Sequence, residues 1–329
     1  MTRPRSLEVL EFAPRAVDSG CTSARLRPPT VRLRRPNLFV IGAMKSGSTF
    51  LSHLLNLHPA IYIARPEEPS YFVAPDELRV LWPRMWEQRY WRNEETYLRL
   101  FEPAGDAPVL GEASTNYSKI PLANGVPERI ALFAPDARFV YIMRDPVQRS
   151  ISHYWHMVRL HGEHRAMLAA LQADPGYVAV SHYAMQLAPY LALFGRERVF
   201  TLTYEELTQR TEGTIRRLYA WLGVDTFVRL PSGFDAAENV TPEEVEQLTA
   251  TGSLLHHMRW SHRLLGSVPN ELRASAKRVF SKRVRRTDVD TTTATIFLQR
   301  IQRPQTEELT AMLGRDFPEW TTLWGASPA

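Results

Sequence analysis

The run Leu38-Phe39-Val40-Ile41-Gly42-Ala43-Met44-Lys45-Ser46-Gly47-Ser48-Thr49-Phe50-Leu51 decides the fold. Four apolar residues, Leu38 to Ile41, enter Gly42 without a polar break, the pattern of a short strand buried on both faces. Gly42 and Gly47 bracket a tight loop. Ser48, a residue type favoured at N-caps, opens an amphipathic helix through Phe50, Leu51, Leu54 and Leu55. A strand, a Gly-rich loop and a helix in this order aim backbone N–H groups and a helix N-terminus at one point. An anion, most often a phosphate, is expected there. The loop is not that of a nucleoside-triphosphate enzyme, which places Lys and then Ser/Thr directly after the second glycine. Here Ser48 and Thr49 follow Gly47, and Lys45 lies inside the loop. Of the 40 Lys plus Arg only four are Lys, at positions 45, 119, 277 and 282. A compact point charge has been placed where the rest of the chain uses a guanidinium fork. The bland alternative is a Gly/Ser turn with an incidental lysine.

The chain of 329 residues is 44% hydrophobic and 23% charged, ordinary for a globular protein with a sizeable core. The net charge of +5 permits a polyanionic partner without requiring one. The one cysteine, Cys21, rules out an intramolecular disulfide and a Cys-based metal site. No apolar run reaches membrane-spanning length, and Glu8, Glu11 and Arg15 interrupt any signal-peptide core. The expected location is therefore the cytoplasm. Residues 1–36, rich in Arg and Pro, are expected to form a mobile basic arm, and residues 37–329 a single domain. The arm lacks interleaved aromatics, so a solvated terminus is favoured over a nucleic-acid tail.

Further along, Ile61-Tyr62-Ile63 is a second short strand. It runs into Arg65-Pro66-Glu67-Glu68-Pro69, which sets two acids in an extended loop. Strand ends at the carboxyl edge of an open α/β sheet are where ligands sit, and a carboxylate there can serve as a general base. A solvated acidic loop is the alternative. Aromatics and charges over 76–101 predict an amphipathic helical segment whose rings are core or, less simply, a carbohydrate platform. Val109-Leu110 enters Gly111 to Tyr117, a strand that ends in a polar turn, and Pro127 to Phe133 is a helix. Arg138 to Met143 is a buried strand ending in Arg144-Asp145-Pro146, followed by a helix over about 147–160. Arg144 at the strand tip and Ser152 on the helix can clasp a second phosphate; an Arg144–Asp145 pair is the competing picture. Helix over 184–194, strand over 198–203, a helix from 203 to Trp221 and a last helix over 305–313 complete the pattern. Strands alternate with helices from 38 to 222, which predicts an α/β fold, a P-loop-like open parallel sheet flanked by helices on both faces. The basic run 277–286 reads as a solvated or flap face.

Four segments resemble the sulfotransferases that take 3′-phosphoadenosine-5′-phosphosulfate as donor, in particular their glycosaminoglycan-type, carbohydrate-acting branch. Gly42 to Thr49 resembles the family's 5′-phosphosulfate loop. Tyr141 to Pro146 with Ser152 is similar to its 3′-phosphate segment. Glu67-Glu68-Pro69-Ser70-Tyr71-Phe72 is similar to the stretch that carries the catalytic base, with Glu68 on the base position and Glu67 where a Lys is usual. Glu307 to Trp320 resembles the closing helix and tryptophan. The resemblance implies that Lys45, Ser46, Gly47, Ser48 and Thr49 hold the 5′-phosphosulfate, that Arg144 and Ser152 hold the 3′-phosphate, and that Lys45 and Glu68 are catalytic. Two adjacent acids raise each other's pKa, so either Glu67 or Glu68 can be the base, and His58 is a reserve. A late basic loop over the 3′-phosphate is not evident; a residue between 239 and 286 is expected to replace it. The implied acceptor is a hydroxyl of a carbohydrate or sugar-bearing small molecule, with no metal, nucleic acid or membrane span. The alternatives are a P-loop small-metabolite kinase and a non-enzymatic polyanion-binding module.

Overall fold

The computed structural model describes residues 33–227, 242–254 and 280–325. Five strands, β1 (Leu38–Gly42), β2 (Ile61–Ile63), β3 (Val109–Ala113), β4 (Arg138–Met143) and β5 (Val199–Thr203), form one sheet in the order β2-β3-β1-β4-β5. Every neighbouring pair is parallel. This is the open parallel sheet that the doubly buried runs predict.

The alternation along β1 builds two cores. Leu38 and Val40 face α1 (Ser48–Asn56) and α11 (Thr211–Leu222) through Leu51, Leu54, Leu55, Ile215 and Leu218. Phe39 and Ile41 face the opposite layer of α5 (Val126–Phe133), α6 (Pro146–His161), α9 (Tyr183–Phe194) and α12 (Thr292–Leu313). Side chains of a strand alternate between faces, so a strand covered by helices on both sides must be apolar throughout.

The strand order also fixes where a ligand can sit. After β1 the chain moves to the β3–β2 side of the sheet, and after β4 it moves the other way, to β5. The loops leaving β1 and β4 therefore diverge at adjacent carboxyl ends, and a crevice opens between them.

Several elements differ from the sequence expectations. The helical segment expected over 76–101 is broken into α2 (Pro75–Leu81), α3 (Pro83–Gln88), α4 (Glu94–Leu98) and two 3₁₀ turns. Proline at the start of both α2 and α3 forces a fresh start, because it lacks the N–H that would continue the preceding helix. The helix expected from 203 to 221 divides into α10 (Tyr204–Gln209) and α11, because Arg210 leaves helical geometry at φ −136, ψ 46. The Thr211 and Thr214 hydroxyls then take the carbonyls of Leu207 at 2.7 Å and Glu206 at 3.2 Å. The last long helix starts at Thr292, thirteen residues before Gln305, and carries Pro304 inside it. Short α7 (Met167–Ala173), α8 (Gly176–Ala179) and α13 (Thr321–Trp324), with an antiparallel pair β6 (Glu244–Leu248) and β7 (Ser281–Arg285), complete the described residues. Of the expected basic arm, residues 1–32 lie outside them. Arg34 and Arg35 are fastened to the body: Arg34 donates to Gly105 O at 2.9 Å and Ala107 O at 2.7 Å, and Arg35 pairs with Glu94 at 2.7 Å.

Candidate active site

The crevice between β1 and β4 opens into a cavity of about 900 Å³. Its walls hold Lys45, Gly47, Ser48, Thr49, Glu68, Arg144 and Ser152, so seven of the eight candidate residues from the sequence meet at one place. Ser46 is the exception. It is fully buried behind the loop, its N–H donates to Ala43 O at 3.2 Å, and its Oγ has no partner.

The loop after β1 needs its glycines for space. Gly42 has φ +140, and a Cβ there would fall 2.2 Å from Ser118 Oγ. Gly47 has φ +92, and its Cβ would meet the Tyr204 ring at 2.7 Å. Gly47, not Ser48, is the N-cap of α1, and it makes no side-chain cap hydrogen bond. Ser48 is the first helical residue, so its hydroxyl faces the cavity from the first turn beside the helix N-terminus.

Four non-glycine residues among those described have a left-handed backbone, and three of them, Lys45, Glu68 and Ser70, lie on the loops of this site. Such strain persists only where surrounding contacts over-determine it, and it concentrates at functional sites.

Arg144 Nη1 stands 3.5 Å from the carbonyl oxygen of Lys45, and the guanidinium lies over the Tyr204 ring at 5.0 Å. The competing Arg144–Asp145 pair does not form. Asp145 instead caps α6, accepting from Val147 N at 2.9 Å and Gln148 N at 3.2 Å, while its other oxygen accepts from Leu323 N at 3.0 Å. Tyr183 OH donates to Arg144 O at 2.7 Å and fixes the strand tip. Beneath both loops lies Arg149, fully buried. It donates to Tyr177 O and Ser181 Oγ, and approaches Met44 O at 3.5 Å. Arg149 therefore braces α6 against the loop after β1.

The two acids separate clearly. Glu68 lines the cavity, and its carboxylate is held by Thr115, whose N–H donates at 3.0 and 3.1 Å and whose Oγ1 donates at 2.7 Å. Glu67 turns aside and accepts from Thr49 Oγ1 at 2.8 Å. Burial raises its pKa, which the Thr49 hydrogen bond partly offsets. His58 is spent elsewhere: its Nδ1 accepts from Ala60 N at 3.0 Å and its Nε2 meets Asp225 O at 2.9 Å. It does not line the cavity and is not a reserve base. Trp320 is a core residue stacked on Phe317 at 4.2 Å, away from the cavity walls.

Three kinds of cavity residue escaped the sequence motifs. Lys119, buried, donates to Asn116 Oδ1 at 2.6 Å and lies 5.1 Å from the centre of the Trp82 ring. Burial lowers its pKa to about 8. Arg286, just after β7, reaches the cavity from the stretch where a 3′-phosphate cover was expected; the rest of 239–286 is described only at 242–254 and 280–285. His153, His156 and Arg159 follow Ser152 along one face of α6 at helical spacing, a periodicity that could have shown them. Burial is the main cause holding the His156 pKa near about 3.

Among the described lining residues six are Lys or Arg and two, Glu68 and Asp174, are acids. The cations crowd one another. Burial first, then Arg159, Arg144, Arg286 and Arg149, lower the Lys45 pKa to about 8. A cavity with this excess of positive charge is built to receive an anion. No group of three or more His, Cys, Asp or Glu among the described residues could hold a metal ion, and no described helix is long and apolar enough to cross a membrane.

An open parallel sheet with a cationic cavity at its switch point is an α/β architecture suited to an anionic ligand. The profile of the "Sulfotransferase family" matches residues 36–228, more than half of the chain. The chain belongs to the sulfotransferase family. A crystal structure of a sulfotransferase from Alicyclobacillus acidocaldarius superposes with a TM-score of 0.63 at 26% identity, covering 87% of this chain and 99% of that one. Bifunctional heparan sulfate N-deacetylase/N-sulfotransferase 1 of Caenorhabditis elegans is 25% identical over 226 residues, 63% of this chain and 25% of its own length. Heparan sulfate glucosamine 3-O-sulfotransferase 3A1 of Mus musculus is 22% identical over 235 residues, 67% of this chain and 55% of its own length. The chain thus spans between a quarter and about half of the length of these two heparan sulfate relatives.

Proposed function

We propose that the protein transfers a sulfuryl group from 3′-phosphoadenosine-5′-phosphosulfate to a hydroxyl of a carbohydrate or sugar-bearing metabolite. The observation that carries this is the meeting of Lys45, Arg144 and Glu68 on one cavity, two cationic corners and one carboxylate. The 5′-phosphosulfate lies against the α1 N-terminus, with Ser48 and Lys45 beside it. Lys45 neutralises the bridging oxygen as the bond to sulfur breaks and the leaving phosphate gains charge. Arg144 and Ser152, with Arg286, take the 3′-phosphate, the group that separates this donor from ATP.

Glu68 accepts the proton of the attacking hydroxyl. Thr115 orients its carboxylate, and Glu68, unlike Glu67, faces the cavity. The sulfur–oxygen bond to the acceptor forms in line as the bond to the phosphate oxygen breaks, and the adenosine bisphosphate leaves. Thr49 reaches the sulfonate only by giving up its hydrogen bond to Glu67. The names of both heparan sulfate relatives support a carbohydrate acceptor, and that of the 3-O-sulfotransferase a hydroxyl. With a single cysteine and thus no intramolecular disulfide, the cytoplasm is our reading of where it acts.

The test is transfer of ³⁵S from labelled donor to a pool of hydroxyl-bearing saccharides in the presence of EDTA. Labelled product with wild type and none with Lys45→Ala supports the proposal. Phosphate transfer from ATP that EDTA abolishes would point to the kinase instead.

A further inference from the structure

The cavity is too mixed in character for a purely ionic occupant. Apolar side chains also line the cavity, interspersed with Arg84 and Arg159. Val80 and Leu81 on α2 form one side, with Trp82 and Met85 next to them, and Met157 and Leu160 on α6 also line the cavity. Nine large hydrophobic residues are exposed among those described, and three of the nine, Val80 at 72%, Leu81 at 40% and Leu160 at 38%, are on this one cavity. Scattered surface leucines need no explanation, but apolar residues gathered at the edge of a reaction cavity mark a surface awaiting an apolar occupant.

The elements that carry them are set for that role. Helix α3 has no fully buried residue, and α2 has only Leu78. The pair is steadied from behind instead, by the Trp86–Trp91 stack at 3.7 Å and the Trp91 Nε1 hydrogen bond to Trp86 O at 2.8 Å. Trp82 and Met85 pack partly against the core, whereas Val80 and Leu81 stay exposed; Trp82, whose ring lies 5.1 Å from the Lys119 amine, joins them to the cationic part of the cavity.

We infer that the acceptor is an amphiphile: its hydroxyl-bearing head enters toward Glu68 while an alkyl or other apolar portion lies between Val80–Leu81 and Leu160. This rests on the sulfotransferase assignment above and names the acceptor class for that site. A polyanionic oligosaccharide would leave these three side chains facing water.

The test uses the full-length protein loaded with 3′-phosphoadenosine-5′-phosphate and titrated calorimetrically with an alkyl β-glucoside series, methyl to octyl, below micelle formation. Burying about half of each methylene gives roughly a twofold gain in affinity per methylene, and about a hundredfold from methyl to octyl. Leu81→Asp with Leu160→Asp, both at exposed positions, should flatten that series; the Ser pair at the same positions serves should the Asp pair fold poorly. Nucleotide binding is recorded as a separate titration in each variant, so failure of the donor site and failure of the apolar subsite are distinct results. A wild-type series with no chain-length dependence overturns the inference. So does a chain-length dependence that both variant pairs keep, or tight binding of a heparin tetrasaccharide alongside a flat alkyl series.

Discussion

Arg144 Nη1 sits 3.5 Å from the backbone oxygen of Lys45, joining residues 99 positions apart in the chain. The contact brings the loop after β1 against the tip of β4, so the two proposed phosphate corners adjoin. Arg144→Ala should weaken binding of 3′-phosphoadenosine-5′-phosphate by about 10- to 100-fold, as expected for loss of a charge-assisted contact. Adenosine 5′-phosphosulfate, which lacks the 3′-phosphate, should lose far less. Equal losses for the two nucleotides, measured by calorimetry, would remove Arg144 from the 3′-phosphate.

Lys45 adds a pH dependence. Burial and four neighbouring arginines hold its pKa down at about 8 in the unliganded protein. The ammonium is the form that attracts an anion, so nucleotide affinity should be full below pH 7 and fall as pH rises through about 8 toward 9.5. Lys45→Arg, whose guanidinium stays charged, should bind with a shallower pH dependence over the same range, the remainder coming from Lys119, whose pKa is also about 8. A wild-type Kd that is flat from pH 6.5 to 9.5 contradicts this account.

The strands were legible because β1 and β4 are apolar on both faces, a signal that survives without knowledge of partners. The donor loops were legible because Gly47, Lys45 and Arg144 are local chemistry at strand ends. What escaped depends on contacts distant in sequence. Arg149 reads as one more helical arginine until its approach to Met44 O, 105 residues away, is known. Lys119 lies in no motif, and its place follows only from the turn after β3 packing against Trp82. The cap of α1 was misassigned by one residue because Ser is the commoner cap, whereas the crowded Tyr204 ring requires glycine at position 47. Proline misled in both directions: Pro83 breaks an expected helix, while Pro304 is accommodated inside one.

The two glutamates should part company on mutation. Glu68→Gln removes the only carboxylate of the pair on the cavity wall, so transfer should slow by ~10²–10⁴-fold with nucleotide affinity nearly unchanged. Glu67→Gln keeps an acceptor for Thr49 and should leave the chemical step within a few-fold of wild type. Single-turnover rates with saturating donor separate the two. The reverse ranking would shift the base by one residue.

Stability should also depend on pH, through a group below the site. Glu112 is fully buried and accepts from Tyr97 OH at 2.5 Å, Tyr117 OH at 2.8 Å and Ser114 Oγ at 2.8 Å. Burial is the main cause raising its pKa from 4.5 to about 7. A raised carboxyl pKa means that the folded state holds the proton more tightly than the unfolded chain. That stabilisation is complete below pH 4.5 and is lost as pH rises through about 7, on the order of 3 kcal/mol in all. Melting temperature should therefore fall by roughly 4 °C between pH 5 and pH 8, because a chain of this length has a large unfolding entropy. Glu112→Gln keeps the acceptor for both tyrosines without a proton to lose, and should remove Glu112's share of that slope. Ser114 and Thr115 follow directly on this strand, and Thr115 is what holds Glu68. Loss of the Glu112 proton should therefore loosen the candidate base before the sheet unfolds, visible as faster amide exchange at 114–116 at pH 8 than at pH 6 after correction for intrinsic rates. An equal pH slope in wild type and Glu112→Gln would place the titrating group elsewhere, with half-buried Glu205, whose pKa is also raised to about 7, next in line.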